Sequence, residues 1–174
     1  MLDRSPRRRR RDLRFVRHYV VVRRPFAEVE RAMLSGASAW LPSIAEQARD
    51  HAVGLLLELG VERALLSGSS EVKVGRPRRT KQATRLPFEV WVGPAEGRSN
   101  GAGRKSDYVL RLMFVGQFEI AAIGPNSTQI AVTASYQPLA GVLKAIGGGA
   151  VVHRVAEAAV REFMERLGTR LSRG

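Results

Sequence analysis

Residues 127–171, STQIAVTASYQPLAGVLKAIGGGAVVHRVAEAAVREFMERLGTRL, decide the fold of this chain. Alternating apolar residues over 127–136 predict a β-strand, which stops before Pro138. After the glycines at 147–149 the apolar period changes to three and four residues, which predicts a long amphipathic helix reaching about Leu171. One amphipathic helix at the end of a strand-rich chain needs a sheet to bury its apolar side, so the sequence predicts a helix packed on a sheet.

The position of this helix depends on its apolar stripe. The stripe consists of Val152, Val155, Ala156, Ala159, Val160, Phe163, Leu167 and Leu171. Charged residues occupy the other side, and a pair such as Glu157 with Arg161 adds only about 0.2–0.5 kcal/mol. The stripe therefore decides where the helix packs, and its small residues allow a close approach.

Composition bounds the kinds of chemistry that the chain can perform. Its 174 residues fit one domain, which we place at 13–174. The sequence has no cysteine, which excludes a disulfide framework, a thiolate metal site and a cysteine nucleophile. The three histidines, His18, His51 and His153, lack metal-ligand spacing, so we expect neither a metal nor a cofactor.

Positive charge is concentrated at the N-terminus. Residues 1–24 hold ten arginines and two aspartates, so they carry +8 of the formal net charge of +13. Residues 1–12 have no apolar periodicity, which predicts a disordered basic tail. No apolar run approaches the roughly 20 residues that span a bilayer, and no secretory signal is recognisable, so the expected location is the cytoplasm.

The remaining elements follow from apolar patterns and from glycine and proline. Residues 13–22 predict a strand, and two shorter helices are predicted at about 26–33 and 43–59, separated by Ser35, Gly36 and Pro42. Further strands are predicted at about 71–75, 86–92, 108–115 and 117–123, with a mobile loop at 93–106. The predicted fold class is therefore α+β: a curved antiparallel sheet wrapped around a long C-terminal helix, with two shorter helices after the first strand.

Four local segments accompany this order of elements. They are RRPFAEVERAM at 23–33, AWLP at 39–42, LPFEVWVGP at 86–94 and SYQPLAGVL at 135–143. Over residues 13–171 the chain resembles the helix-grip (SRPBCC) superfamily, which includes the START domains, the Bet v 1-like plant proteins and the bacterial polyketide cyclase/dehydrase-like proteins. The resemblance implies an apolar cavity between sheet and helix that holds a lipid-like or polyketide-like molecule, with a cyclase or dehydratase as a less expected variant.

Alternation along the strands provides a candidate cavity lining. The ligand-binding candidates are Phe88, Val90, Tyr108, Leu110, Leu112, Phe114, Val132, Ala134, Tyr136, Val155, Ala159 and Phe163. Tyr108 and Tyr136 would supply hydroxyl groups that orient the ligand. Ordinary core packing would give the same pattern for any single residue, so the hypothesis concerns the whole set.

Catalysis has weaker support in the sequence than binding. Acid–base candidates are His18, Glu89, Arg111 and His153, but no spacing fixes any two of them together. The catalytic and phosphate-binding motifs with a recognisable spacing are missing. Whether the protein is an enzyme stays open at this point, and no catalytic residue is assigned.

The basic residues suggest an alternative function. The anion-binding candidates are Arg7, Arg8, Arg9, Arg10, Arg11, Arg76, Arg78 and Arg79. At about 1 kcal/mol for each basic residue near an anionic surface, they predict weak, salt-sensitive contact with nucleic acid or an anionic membrane. A solvated tail or a wrongly assigned start codon would explain the arginine run equally well.

Overall fold

The computed structural model describes residues 13–60, 69–93, 112–136 and 148–173. The predicted tail at 1–12, most of the predicted loop at 93–106, and the candidates Tyr108, Leu110 and Arg111 lie outside the described residues. The strands are β1 (Arg14–Val22), β2 (Ser69–Val74), β3 (Arg78–Arg79), β4 (Ala83–Gly93), β5 (Leu112–Gly124) and β6 (Ser127–Tyr136). The helices are α1 (Phe26–Glu58) and α2 (Gly149–Arg173).

The described strands form one antiparallel sheet. Its order is β1-β6-β5-β4-β2, and the short β3 also pairs with β4. β1 pairs with β6, so the first strand of the chain lies at the edge of the sheet beside the last strand. The α+β class with a long C-terminal helix is confirmed.

Strand register places the inner-face residues in rows that cross the sheet. The first row is Val72, Val90, Phe114, Tyr136 and Arg14; the second is Val74, Phe88, Gly116, Ala134 and Val16; the third is Leu86, Phe118, Val132 and His18. Along β6 every second residue is buried, from Thr128 to Tyr136, which is the period expected for a strand with one buried face. The other face exposes large side chains such as Phe15 and Tyr19.

The prediction of two strands at 108–115 and 117–123 is wrong for the described part, because β5 runs without a break through Gly116. A Cβ atom at Gly116 would lie 2.8 Å from the Ala134 Cα and would also contact the Thr133 carbonyl oxygen. Glycine is therefore needed at this position because the backbone of β6 lies so close to it. The sequence shows the glycine but not the neighbouring strand that requires it.

The prediction of two shorter helices is also wrong, because α1 is one helix of 33 residues with Pro42 inside it. Proline removes one helical hydrogen bond and crowds the preceding turn, which is why the sequence predicts a break at this point. Buried residues nevertheless continue at helical spacing through Met33, Ala37, Leu41 and Ile44. Burial of this apolar face outweighs the local cost of the proline.

Two contacts fix the position of the C-terminal end of α2. Gly168, near the C-terminal end, packs against Val20 of β1, where a Cβ atom added to the glycine would lie 3.4 Å from the valine side chain. Arg24 donates from one guanidinium nitrogen to the Leu171 carbonyl oxygen (3.1 Å) and forms an ion pair with Glu28 at 2.8 Å. These contacts connect the end of α2 to the junction between β1 and α1.

None of the described helices contains an apolar segment long enough to span a membrane.

Candidate functional site

The structure places most of the predicted lining residues on the inner side of the sheet. Phe88, Val90, Phe114, Val132, Ala134 and Tyr136 are buried there, and Val155 is buried on α2. Ala159 and Phe163 are only half-buried. Leu112 is the first residue of β5. The predicted lining residues that the structure describes therefore lie on the sheet or on α2. Their role in binding stays a prediction.

Two side-chain contacts show how α2 crosses the sheet. The Tyr136 hydroxyl oxygen lies 2.8 Å from His153 Nδ1, which places His153 beside the first row. The rings of Phe118 and Phe163 stack with centroids 6.0 Å apart, which places Phe163 over the third row. The part of α2 between these two contacts must therefore lie over the second row.

Small residues occur on both the sheet and α2 at this crossing. The middle of the second row is Gly116 and Ala134, and the part of α2 between the two contacts includes Ala156 and Ala159. Aromatic residues stand on both sides of this region: Phe114, Tyr136 and His153 on one side, and Phe118 and Phe163 on the other, where Phe118 also stacks on Phe88 of the second row. We call the region between these two aromatic groups the slot.

The degree to which the α2 side chains are buried differs between the C-terminal end of the helix and the part that passes the slot. Towards the C-terminal end Met164 and Leu167 are fully buried. Ala159, Val160 and Phe163 keep accessible surface, although Phe163 stacks on the inner face of the sheet. On the part of α2 that passes the slot, Val155 and Ala156 are buried, so the accessible apolar surface is confined to Ala159, Val160 and Phe163.

A chain of polar side chains leads out from one end of the slot. His153 Nε2 lies 3.4 Å from a Glu157 carboxylate oxygen, so the proton of the neutral imidazole is favoured on Nε2. Nδ1 then accepts the hydrogen bond of the Tyr136 hydroxyl. Tyr136 is 1% exposed, whereas the side chains of His153 and Glu157 are 33% and 57% exposed. The chain therefore connects a buried hydroxyl group with solvent.

The charge state of Tyr136 follows from its surroundings. Burial raises the pKa of the Tyr136 hydroxyl above its usual value, and the nearby Glu157 carboxylate acts in the same direction. The Arg14 guanidinium lowers this pKa but does not reverse the shift. Tyr136 therefore stays a neutral hydrogen-bond donor at physiological pH.

Sequence reasoning finds some parts of this arrangement and misses others. Tyr136 is a predicted lining residue, and His153 is an acid–base candidate that no spacing links to it. Arg14, Phe118 and Glu157 are missed. Arg14 is the direct cross-strand partner of Tyr136, a neighbour that only the β1–β6 register reveals.

The other acid–base candidates do not join this cluster. His18 lies in the third row at the β1 edge, two rows from Tyr136. Glu89 is exposed on the outer face of β4. Among the described residues, the acid–base candidate that the fold brings to Tyr136 is His153.

The basic candidates at 76–79 are exposed, and some of the charge around them is neutralised. Arg79 forms an ion pair with Glu30 at 2.8 Å, and Lys73 lies 3.4 Å from Glu71. Arg76 and Arg78 have no carboxylate within 4.0 Å in the part of the chain that the structure describes. The segment Arg7–Arg11 lies outside the described residues, so its relation to this surface stays a prediction.

An open hollow of about 350 Å³ lies at the other end of the sheet from Tyr136. Its lining includes Glu30, Arg79 and Thr84. These polar groups already satisfy one another, since the Thr84 hydroxyl and the Arg79 guanidinium both donate to the Glu30 carboxylate. Within the described ranges no group of three His, Cys, Asp or Glu side chains is arranged to hold a metal ion.

Comparison with known proteins gives evidence at the level of the fold. The sequence matches no protein-family model and no curated protein significantly. A crystal structure of a conserved protein from Geobacillus kaustophilus is similar, with a TM-score of 0.50 and 14% identity over 90% of this chain and 94% of that chain.

Two looser likenesses have informative descriptions. One is to the Zhui aromatase/cyclase from Streptomyces sp. R1128, with a TM-score of 0.37 and 13% identity over 91% of this chain and 96% of that chain. The other is to a START superfamily protein from Mycobacterium smegmatis, with a TM-score of 0.41 and 11% identity over 91% and 97%. Scores this low say nothing about the ligand or chemistry of this chain. The strand order, the C-terminal helix across the sheet and the similarity to the Geobacillus protein together show that this chain has the helix-grip fold, the architecture of the START and Bet v 1-like proteins.

Proposed function

We propose that this protein binds a hydrophobic small molecule in the slot between α2 and the middle of the sheet. The helix-grip resemblance implies a ligand in this region, and the described residues supply an apolar, largely aromatic surface for it. The proposed ligand is lipid-like or polyketide-like. Its expected place of binding is the cytoplasm, which stays a prediction from the sequence.

The observation that carries this proposal is the accessible apolar surface of Ala159, Val160 and Phe163 on α2, next to the buried Val155 and Ala156. Protein cores are packed to the density of organic crystals, so a helix that faces a sheet normally buries its apolar residues completely. Ala159, Val160 and Phe163 do not reach that state, whereas Met164 and Leu167 on the next turn do. This accessible apolar surface lies on the part of α2 that leads to the Phe118–Phe163 contact, and a concave apolar space there would suit a hydrophobic ligand.

The two ends of the slot differ in chemistry. Phe118 and Phe163, with Phe88 stacked on Phe118, make one end mainly aromatic, and His18 lies at the β1 edge of that row. Tyr136 and His153 give the other end polar atoms. A ligand with an apolar body and one polar group would therefore bind in a single orientation.

The alternatives have less support from the described residues. A cyclase or dehydratase would use the Tyr136–His153–Glu157 chain to move a proton, but none of the other sequence candidates among the described residues lies next to it. Binding to nucleic acid through the basic residues is opposed by the pairing of Arg79 and Lys73 with carboxylates. Binding of an apolar ligand without catalysis accounts for more of the site.

We expect the protein to bind the neutral fluorescent probe N-phenyl-1-naphthylamine with saturation at about one molecule per chain. Probe fluorescence rises in apolar surroundings, so a titration measures both affinity and stoichiometry. Native mass spectrometry after mild purification should also show a bound apolar compound that is lost after unfolding and refolding. A purified protein without bound compound that gives no saturable fluorescence would rule out the proposal.

A further inference from the structure

We infer that the ligand carries a carboxylate, which Arg14 binds at the β1 end of the slot. This inference rests on the proposed function, because it names the head group of the molecule that the slot would hold. It depends on the position of Arg14, its hydrogen bonding and the charges around it.

Arg14 lies on the inner face of the sheet, next to the polar end of the slot. It is the cross-strand partner of Tyr136, and directly opposed residues on antiparallel strands have their Cβ atoms only about 5 Å apart on the same face. Its guanidinium group donates to the Gly149 carbonyl oxygen at the start of α2. It also occupies the space where a Cβ atom of residue 149 would lie, so glycine at that position permits the contact. The strand and the helix therefore hold Arg14 on both sides.

The charge of Arg14 has no acidic partner among the described residues. Arg24, Arg79, Arg85 and Arg166 each form an ion pair with a glutamate. Arg14 is half-buried, and no carboxylate lies within 4.0 Å of it in the described ranges. Glu157, which lies nearby, has a carboxylate oxygen 3.4 Å from His153 Nε2.

The guanidinium group has more donors than the described residues use. Arginine has five N–H groups in a planar fork, and among the described residues the hydrogen-bond acceptor of Arg14 is the Gly149 carbonyl oxygen. Placing a cation in partly apolar surroundings costs free energy unless an anion accompanies it. A planar carboxylate can accept two parallel hydrogen bonds from the unused N–H groups of the guanidinium, and it would supply that anion.

The apolar body of such a ligand would follow the slot away from Arg14. Rows on one face of a sheet are two residues apart along each strand, so the first and third rows are separated by about 13 Å. A chain or fused-ring system of roughly that length would reach from Arg14 and Tyr136 to Phe118 and Phe163. The expected ligand is therefore an apolar monocarboxylate.

Two matched probes test this inference: cis-parinaric acid and its methyl ester. They share one fluorescent hydrocarbon chain and differ only in the charge of the head group. At pH 7.5 we expect the unmodified protein to bind the acid at least about 10-fold more tightly than the ester. Arg14→Gln should remove this preference by weakening binding of the acid and leaving binding of the ester unchanged, which also shows that the variant is folded.

Arg17→Gln is the matched control. Arg17 lies on the same strand, and its substitution removes the same charge, but it is exposed on the outer face. This variant should bind both probes as the unmodified protein does. Equal affinity of the unmodified protein for acid and ester, or a preference for the acid that survives in Arg14→Gln, would overturn the carboxylate inference while leaving the apolar slot in place. Failure of both probes to bind would reject the proposed function and this inference with it.

Discussion

Replacing Gly116 by valine is expected to lower the free energy of unfolding by about 3 kcal/mol, at the upper end of the usual cost of overpacking. A Cβ atom at this position would lie 2.8 Å from the Ala134 Cα and 2.9 Å from the Ala134 Cβ. The obstructing atoms include backbone, which cannot move aside as a flexible side chain can. β5 and β6 would have to separate in the middle of the sheet, directly beneath the slot. Urea unfolding followed by circular dichroism measures the effect.

Gly54→Ala is the matched control for this experiment. Gly54 is inside α1, and a Cβ atom added there would meet nothing within 4 Å. Alanine stabilises a helix interior by about 0.5–1 kcal/mol relative to glycine, so this variant should be more stable than the unmodified protein. If Gly116→Val unfolds at the same urea concentration as the unmodified protein, the close approach of β6 to β5 is wrong.

Replacing Ala159 by phenylalanine should weaken binding of N-phenyl-1-naphthylamine by at least about 10-fold, which corresponds to about 1.4 kcal/mol. Ala159 is half-buried on the part of α2 that overlies the slot. A phenyl group at this position would occupy the space that we assign to the ligand. Filling an existing cavity adds contacts, so thermal stability should change little. The same substitution in a fully packed core would cost about 1–3 kcal/mol.

Ala159→Phe is informative because probe affinity and melting temperature are both measured on the same variant. Ala39→Phe serves as the control, because Ala39 is an exposed helical alanine on α1. We expect it to change neither probe affinity nor melting temperature. Unchanged probe binding in Ala159→Phe would place the ligand elsewhere, and a large loss of stability would indicate that the slot is filled by protein.

The sequence predicts elements well where local pattern and final packing agree. The alternation over β6 and the helical period of α2 are both clear, and together they predict a helix packed on a sheet. Pro42 and Gly116 give misleading signals, because each usually ends or interrupts an element. Their cost is outweighed by contacts with distant parts of the chain: the buried face of α1 in one case and the backbone of β6 in the other.

The sequence predicts which face of the sheet a site residue lies on, but it does not predict which side chains that residue contacts. Alternation identifies Tyr136 and Phe88 as inward-facing residues. The neighbours of Tyr136 depend on the register of β1 against β6 and on where α2 crosses the sheet. Neither Arg14 nor His153 has a sequence spacing to Tyr136 that would indicate contact. The polar end of the slot is thus a property of the tertiary structure alone.

We propose that a ligand fits between α2 and the second row of the sheet. Nuclear Overhauser effects between bound N-phenyl-1-naphthylamine and methyl-labelled protein test it most directly. We predict contacts from the aromatic protons of the probe to the methyl groups of Ala134, Ala156 and Ala159. Contacts confined to outer-face methyl groups, such as those of Val21 and Val115, would contradict the claim.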